Sequence, residues 1–243
     1  MNPYTEQRFS LETLPAGTSM RSVTAEPGSV DGRRGTRVRL TDKIARDGVP
    51  GVDYVDQPTL VLLPVEIETG RLSIDLHSQL TDDAPDYARG FAGLAFHAAP
   101  AFDRFEAIYL RPTNGTLMMP GPPRDQRSIQ YFAYPDWPFD RLRSERPDQG
   151  LEAPAPIAPG RWCQLVIDIE PDHVSASVDG TEVLRTDVLV PPQTGRIGLF
   201  VDIGTDAHFA DLTIARGETR QSGANTAGNE HSKGSGSGQL GGR

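Results

Sequence analysis

The strongest constraint in this sequence is a series of short, alternating apolar segments separated by turn residues, with no long helical period among them. Across residues 70–76, Leu72, Ile74 and Leu76 alternate with Ser73 and Asp75, and a two-residue period marks a strand with one buried face. Comparable segments cover residues 36–40, 59–63, 91–97, 105–111 and 128–134, then 162–169, 173–178, 181–186, 196–202 and 207–214. That is about eleven short strands in roughly 210 residues. Residues 41–46 fit one short turn of helix. Asp179-Gly180, between Val178 and Thr181, supplies the positive φ of a two-residue hairpin. So many antiparallel strands without crossover helices predict an all-β, two-sheet antiparallel β-sandwich, because a single sheet of that size curls or splits. No repeat of fixed period points to a propeller.

Composition narrows the class further. Of 243 residues, 25 are Gly and 21 Pro, which favours many turns between strands. Residues 217–243 hold only alanines and Leu240 as apolar side chains. Such a segment cannot offset its ordering entropy by burial. The expected organisation is a single sandwich domain over residues 1–216 and a disordered Gly/Ser-rich tail over 217–243. The formal net charge of -9 argues against nucleic acid as a partner. No apolar stretch approaches the ~20 residues of a membrane span. Met1-Asn2-Pro3-Tyr4 opens without a basic and then apolar signal region. The expectation is a cytoplasmic protein, with export by an unrecognised route as the alternative. Cys163 is the sole cysteine, and its neighbours offer nothing to lower its pKa, so it reads as a structural thiol.

Alternation also separates the strand faces. Leu94 and Phe96 share one face, and Gly93, Ala95 and His97 the other. Glu106, Ile108 and Leu110 oppose Ala107, Tyr109 and Arg111; Ser128 and Gln130 oppose Ile129 and Tyr131. Gly198, Phe200 and Asp202 oppose the aliphatics of their strand. Four strands thus present small residues, aromatics and sparse polar groups on a common face, the mixture found in ligand sites. The plain alternative is the ordinary solvated side of an antiparallel sheet. Two loops border this face. Arg111-Pro112-Thr113-Asn114-Gly115 reads as a turn whose Asn-Gly favours positive φ. Residues 133–143 are dense in aromatics, proline and arginine, including Tyr134, Trp137 and Arg143. The expected ligand-binding residues are Tyr109, Arg111, Asn114, Gln130, Tyr134, Trp137, Arg143 and Phe200. Catalytic candidates are His97 and Asp202 on that face, with Glu106 joining only if its register differs. Asp202, Asp206 and His208 flank Gly204, but no loop offers the 6–8 oxygens of a Ca²⁺ site. No metal and no cofactor are expected.

These segments resemble the 3-keto-disaccharide hydrolase domains, also described as family-16-like glycoside hydrolases of concanavalin A-like fold. The resemblance runs over about residues 55–215 and is most specific at Tyr109-Leu110-Arg111-Pro112-Thr113-Asn114-Gly115. It also draws on residues 88–96, 105–108, 128–131 and 134–139, and on the C-terminal part from 160–162 through 178–180 to 195–200. It implies a concanavalin A-like jelly roll with a concave face for a carbohydrate or glycoside. The carboxylate pattern of true family-16 glucanases, Glu-x-Asp-x-x-Glu, is absent; Glu66-Ile67-Glu68 lacks its spacing. A two-carboxylate retaining mechanism is therefore not expected. Three readings stand at this point: a glycan-binding sandwich, a hydrolase of glycosides or 3-keto-glycosides, and a non-catalytic protein-interaction module.

Overall fold

The computed structural model describes residues 5–216; the tail expected at 217–243 lies outside them. Strands β1 (Thr5–Phe9), β2 (Ser19–Arg21), β3 (Val23–Val30) and β4 (Arg33–Leu40) lead into a short helix, α1 (Asp42–Asp47). Strands β5 (Leu60–Ile67), β6 (Gly70–Leu80), β7 (Ala92–Ala98), β8 (Phe105–Leu110) and β9 (Ile129–Tyr134) precede a second helix, α2 (Phe139–Glu145). The chain then runs through β10 (Glu152–Ala153), β11 (Trp162–Ile169) and β12 (His173–Val178). It closes with β13 (Thr181–Asp187), β14 (Gly195–Val201) and β15 (Thr205–Arg216).

The strands form two antiparallel sheets. The first has the order β13-β12-β11-β6-β15-β4-β3, with β1 also on β15. The second has the order β10-β9-β8-β7-β14-β5-β2. Each of the eleven segments read from alternation is a strand, with shifted ends. The helical turn at 41–46 is α1, capped by the Thr41 hydroxyl accepting from the Ile44 N–H. Asp179 (φ 48°) and Gly180 (φ 80°) form the expected hairpin turn. Alternation missed β3, and Pro27 and Gly28 within it explain why: proline lacks a ladder donor and is confined to sheet edges, where β3 lies. The short strands β1, β2 and β10 give no pattern to read either. No helix among the described residues is long and apolar enough to cross a membrane.

Between the sheets, Leu72, Ile74, Leu76, Leu165, Ile167 and Phe209 pack against Leu94, Ile108, Leu199 and their neighbours, all at most 1% exposed. Each such side chain stabilises the fold by about 1.5–3 kcal/mol relative to exposure. The other face of the second sheet carries a second apolar layer. Register aligns Gly93 with Tyr109 and Phe200, and Tyr109 with Gln130. The rings of Tyr109, Phe132 and Phe200 lie 5.4–5.6 Å apart. Leu142 of α2 and Tyr54, in the loop between α1 and β5, are buried as well. The Phe139 N–H at the start of α2 donates to Asp56, which ties helix and loop together. The face expected from alternation to be open and concave is therefore covered over most of its area: Gly93, Ala95, Ala107, Tyr109, Gln130, Phe132 and Phe200 are all buried, with α2 and residues 54–56 packed at this side of the sheet.

Candidate functional site

One end of that covered face stays open as a cleft of about 240 Å³. Val55 and Asp56, Tyr87, Arg89 and Phe91 form part of its wall. Tyr109, Arg111 and Asn114 come from the end of β8 and the turn after it. Arg124, Arg127, Phe139, Arg143, Asp202 and Ile203 complete the lining. Aromatic rings thus share the cleft with guanidinium donors and carboxylate acceptors.

Arg111 organises the floor. It is 4% exposed, and strand alternation aims it away from the inter-sheet core. Its Nη1 donates to Glu152 on β10, while its Nη2 donates to Gln130 Oε1 and to the Tyr109 hydroxyl at 2.8 Å. Arg143 grips the same Glu152 with two bonds of 2.8 and 2.6 Å. Burial alone would raise the Glu152 carboxyl, but the hydrogen bonds from Arg143 and the charge of Arg111 outweigh it and hold Glu152 below the usual range. The Glu152 carboxylate therefore stays ionised and locks two forks in place.

Two buried aspartates stand at the other wall. Asp202 accepts from the backbone N–H groups of Val55 (3.0 Å), Asp56 (3.0 Å) and Ile203 (2.6 Å). Val55 (φ 68°) and Asp56 (φ 55°) both occupy the left-handed region, which is costly for a β-branched residue. The Asp202 carboxylate stabilises that kink by collecting its amides. The kink in turn sets Asp56, whose Oδ2 accepts from Phe139 N–H at 2.6 Å and whose Oδ1 lies 3.3 Å from the Tyr109 hydroxyl. Burial first, and then the Asp202 charge, push the Asp56 carboxyl up to about 7, against the opposing pull of the Phe139 N–H and Arg111. Burial also raises Asp202, although its three amide donors favour the charged form.

A pH prediction follows. Unfolded, Asp56 titrates near the ordinary aspartate value, about 3.9. Folded, it holds its proton to about 7. Its contribution to stability is complete below the unfolded value and is lost as pH rises through the folded one. The difference in urea midpoint between wild type and Asp56→Asn should therefore move in favour of the variant between about pH 4 and pH 7 and level off above. A difference independent of pH would contradict the assignment.

The cleft gathers part of the expected set. Tyr109, Arg111, Asn114, Arg143 and Asp202 line it. Gln130 and Phe200 lie behind it, both fully buried; Gln130 supports Arg111, and Phe200 packs on Tyr109. Tyr134 stacks on Phe105 at 5.3 Å. The guanidiniums of Arg146 and Arg141 lie over the Trp137 ring, 3.9 and 4.4 Å from its centre. Neither Tyr134 nor Trp137 lines the cleft. His97 and Glu106 form a closed pair at 2.6 Å, 1% and 2% exposed, with Tyr131 donating to Glu106 and the Glu68 carbonyl 2.7 Å from the His97 ring. The expected register of Glu106 holds. His97 has left its expected face, because β7 carries one extra residue opposite Arg196–Gly198, with His97 at φ 53°.

The turn after Arg111 also differs from expectation. Pro112–Asn114 is a 3₁₀ turn and Gly115 has φ -59°. Glycine is needed there for close approach instead, since a Cβ would sit 1.8 Å from the Ile157 carbonyl oxygen. Asn114 is 4% exposed; its Nδ2 donates to the Arg127 carbonyl and its Oδ1 accepts from Arg124 Nε. Cys163 donates weakly to the Leu76 carbonyl, and burial pushes its thiol up to about 12, in keeping with an unreactive group. Asp206 lies away from Asp202, paired with Arg37 at 2.8 and 2.7 Å.

Sequence reasoning missed Asp56, Arg89, Phe91, Arg124 and Arg127. Arg124 and Arg127 stand in a Pro- and Arg-rich loop, a compositional signal of the kind that singled out residues 133–143. Asp56 carries no such signal, since only the fold brings Asp202 beneath it.

No known family model and no curated protein matches this chain. Solved structures match its fold. A Bacillus subtilis protein of unknown function with a galectin-like fold aligns over 88% of this chain and 99% of its own, at 12% identity and a TM-score of 0.55. The carbohydrate-binding module CBM66 from Bacillus subtilis aligns over 80% of this chain and 96% of its own, at 14% identity and 0.48. The Bacillus licheniformis β-glucanase aligns over 86% and 97%, at 10% identity and 0.49. The chain has the concanavalin A-like sandwich fold.

Proposed function

We propose that this chain is a carbohydrate-binding or carbohydrate-active sandwich protein and that the cleft beside Arg111 is its glycan site. The observation that carries the reading is the make-up of the cleft. The Phe91 and Phe139 rings offer apolar surface for a sugar face, while the arginines and Asn114 offer donors and Asp56 an acceptor for its hydroxyls. A volume of about 240 Å³ lies just under the ~300–1,000 Å³ of drug-sized sites, which suits the end group of a glycan. The test is calorimetry against a glycan panel with wild type, Phe91→Ala and Arg127→Ala. Each variant should bind the recognised sugar about tenfold more weakly, which corresponds to about 1.4 kcal/mol. Unchanged affinity in folded variants would remove the cleft from the function.

Glycoside cleavage, in the manner of the 3-keto-disaccharide hydrolases, is the finer form of this proposal. The observation that favours it is the Asp56 carboxyl, which lines the cleft and titrates at about 7, where a general acid works best. Asp202 has both oxygens engaged by backbone amides, so it positions Asp56. Release of monosaccharide from glycosides or 3-keto-glycosides, lost in Asp56→Asn with binding retained, would support catalysis. Binding without turnover on that panel would reject it.

A further inference from the structure

Five arginines line the cleft: Arg89, Arg111, Arg124, Arg127 and Arg143. Against them stand two lining carboxylates, Asp56 and Asp202, with Glu152 behind the wall. The whole chain has the opposite balance, 33 acidic residues to 24 basic. A cationic cleft in an acidic protein is therefore a local feature of the site.

The five arginines are not equivalent. Glu152 neutralises Arg111 and Arg143 directly and lies 3.6 Å from Arg127. Arg89 and Arg124 form no ion pair among the described residues, and every partner they have is neutral. Arg89 Nη1 donates to the carbonyls of Asp86 and Ala88, both at 2.6 Å. Arg124 donates through Nε to Asn114 Oδ1 at 2.8 Å and through Nη2 to the Thr113 carbonyl at 3.0 Å and its hydroxyl at 3.3 Å. These bonds orient both guanidiniums without neutralising them. Nε and Nη2 of Arg89 and Nη1 of Arg124 have no partner among the described residues.

We propose that the cleft takes an anionic saccharide, whose carboxylate, sulfate or phosphate is engaged by Arg89 and Arg124. The inference rests on the glycan reading of the cleft and names its substrate class. Guanidinium forks match oxyanions of this kind in shape and charge. Prior orientation by neutral acceptors lowers the ordering cost of that contact. Burial, and then the charges of Arg124 and Arg111, hold the Arg89 guanidinium below its ordinary range. An anion placed between these charges relieves their repulsion.

The test is calorimetry on the full chain with paired probes: oligogalacturonate and its full methyl ester, a heparin fragment and its desulfated, N-acetylated and carboxyl-reduced form, glucose 6-phosphate and glucose. Inorganic phosphate is run alongside. At least one charged probe should bind about tenfold or more tighter than its neutral partner, with an affinity that falls as salt rises. The double variant Arg89→Gln/Arg124→Gln should abolish that preference while its melting temperature shows that it still folds. The charged probe that binds identifies the oxyanion. Equal binding within each pair, or a double variant that keeps the preference, overturns the anionic inference and leaves the glycan reading in place. Binding of inorganic phosphate without any saccharide overturns both the saccharide assignment here and the glycan reading. Binding of no probe overturns the anionic inference, and the glycan panel with Phe91→Ala and Arg127→Ala decides the glycan reading separately.

Discussion

Asp202→Ala should destabilise the protein by roughly 3–5 kcal/mol, since it strips acceptors from three backbone N–H groups in a buried setting and each orphaned group costs about 1–3 kcal/mol. The three are Val55, Asp56 and Ile203. The variant should also lose cleft binding, because Val55 and Asp56 hold left-handed backbone conformations that Asp202 stabilises. Asp202→Asn keeps one acceptor oxygen and should fall between wild type and alanine in urea midpoint. A folded Asp202→Ala protein within about 1 kcal/mol of wild type would show that the carboxylate is not the clamp.

Glu106→Ala should also be strongly destabilising, by roughly 2–5 kcal/mol, since it removes the hydrogen-bond partner of two buried polar groups and each orphaned group costs about 1–3 kcal/mol. The truncation leaves the His97 ring and the Tyr131 hydroxyl without their carboxylate partner in the inter-sheet core. Its effect on the cleft should be nil: under conditions where Glu106→Ala is folded, glycan affinity should match wild type. This pairing of large stability loss with unchanged binding separates Glu106 from Asp202. Loss of binding in folded Glu106→Ala would return the His97–Glu106 pair to the functional site.

The difference between His97 and Asp202 was not legible in the chain, where both read as candidates on one face and only Glu106 was placed on the opposite one. A strict two-residue period puts His97 beside Gly93 and Ala95. One inserted residue on β7 breaks that period and turns the ring toward Glu106. Bulges leave no mark in hydrophobic alternation, since the extra position only has to satisfy its own backbone. Gln130 and Phe200 illustrate a second limit. Alternation assigned them to the face of Tyr109, and they share it. It carried no information on what covers that face. The cover is α2 and residues 54–56, short segments whose buried apolar residues, Tyr54 and Leu142 among them, have no period long enough to recognise.

The architecture was legible in the chain alone: eleven strand segments, the Asp179-Gly180 hairpin, a helical turn at residues 41–46 and the two-sheet antiparallel arrangement. These depend on local chemistry, namely side-chain period, turn residues and caps, which acts over a few neighbouring positions. The chain also pointed to Tyr109, Arg111, Asn114 and Arg143 as residues of one site. Only the folded chain shows that these residues line a cleft at one end of a covered sheet, that Asp56 sits over Asp202, and that Arg89 and Arg124 enter that cleft without a carboxylate partner among the described residues. Asp56 and Asp202 are 146 positions apart, and burial, charge balance and a displaced pKa arise only when such distant groups share one low-dielectric space.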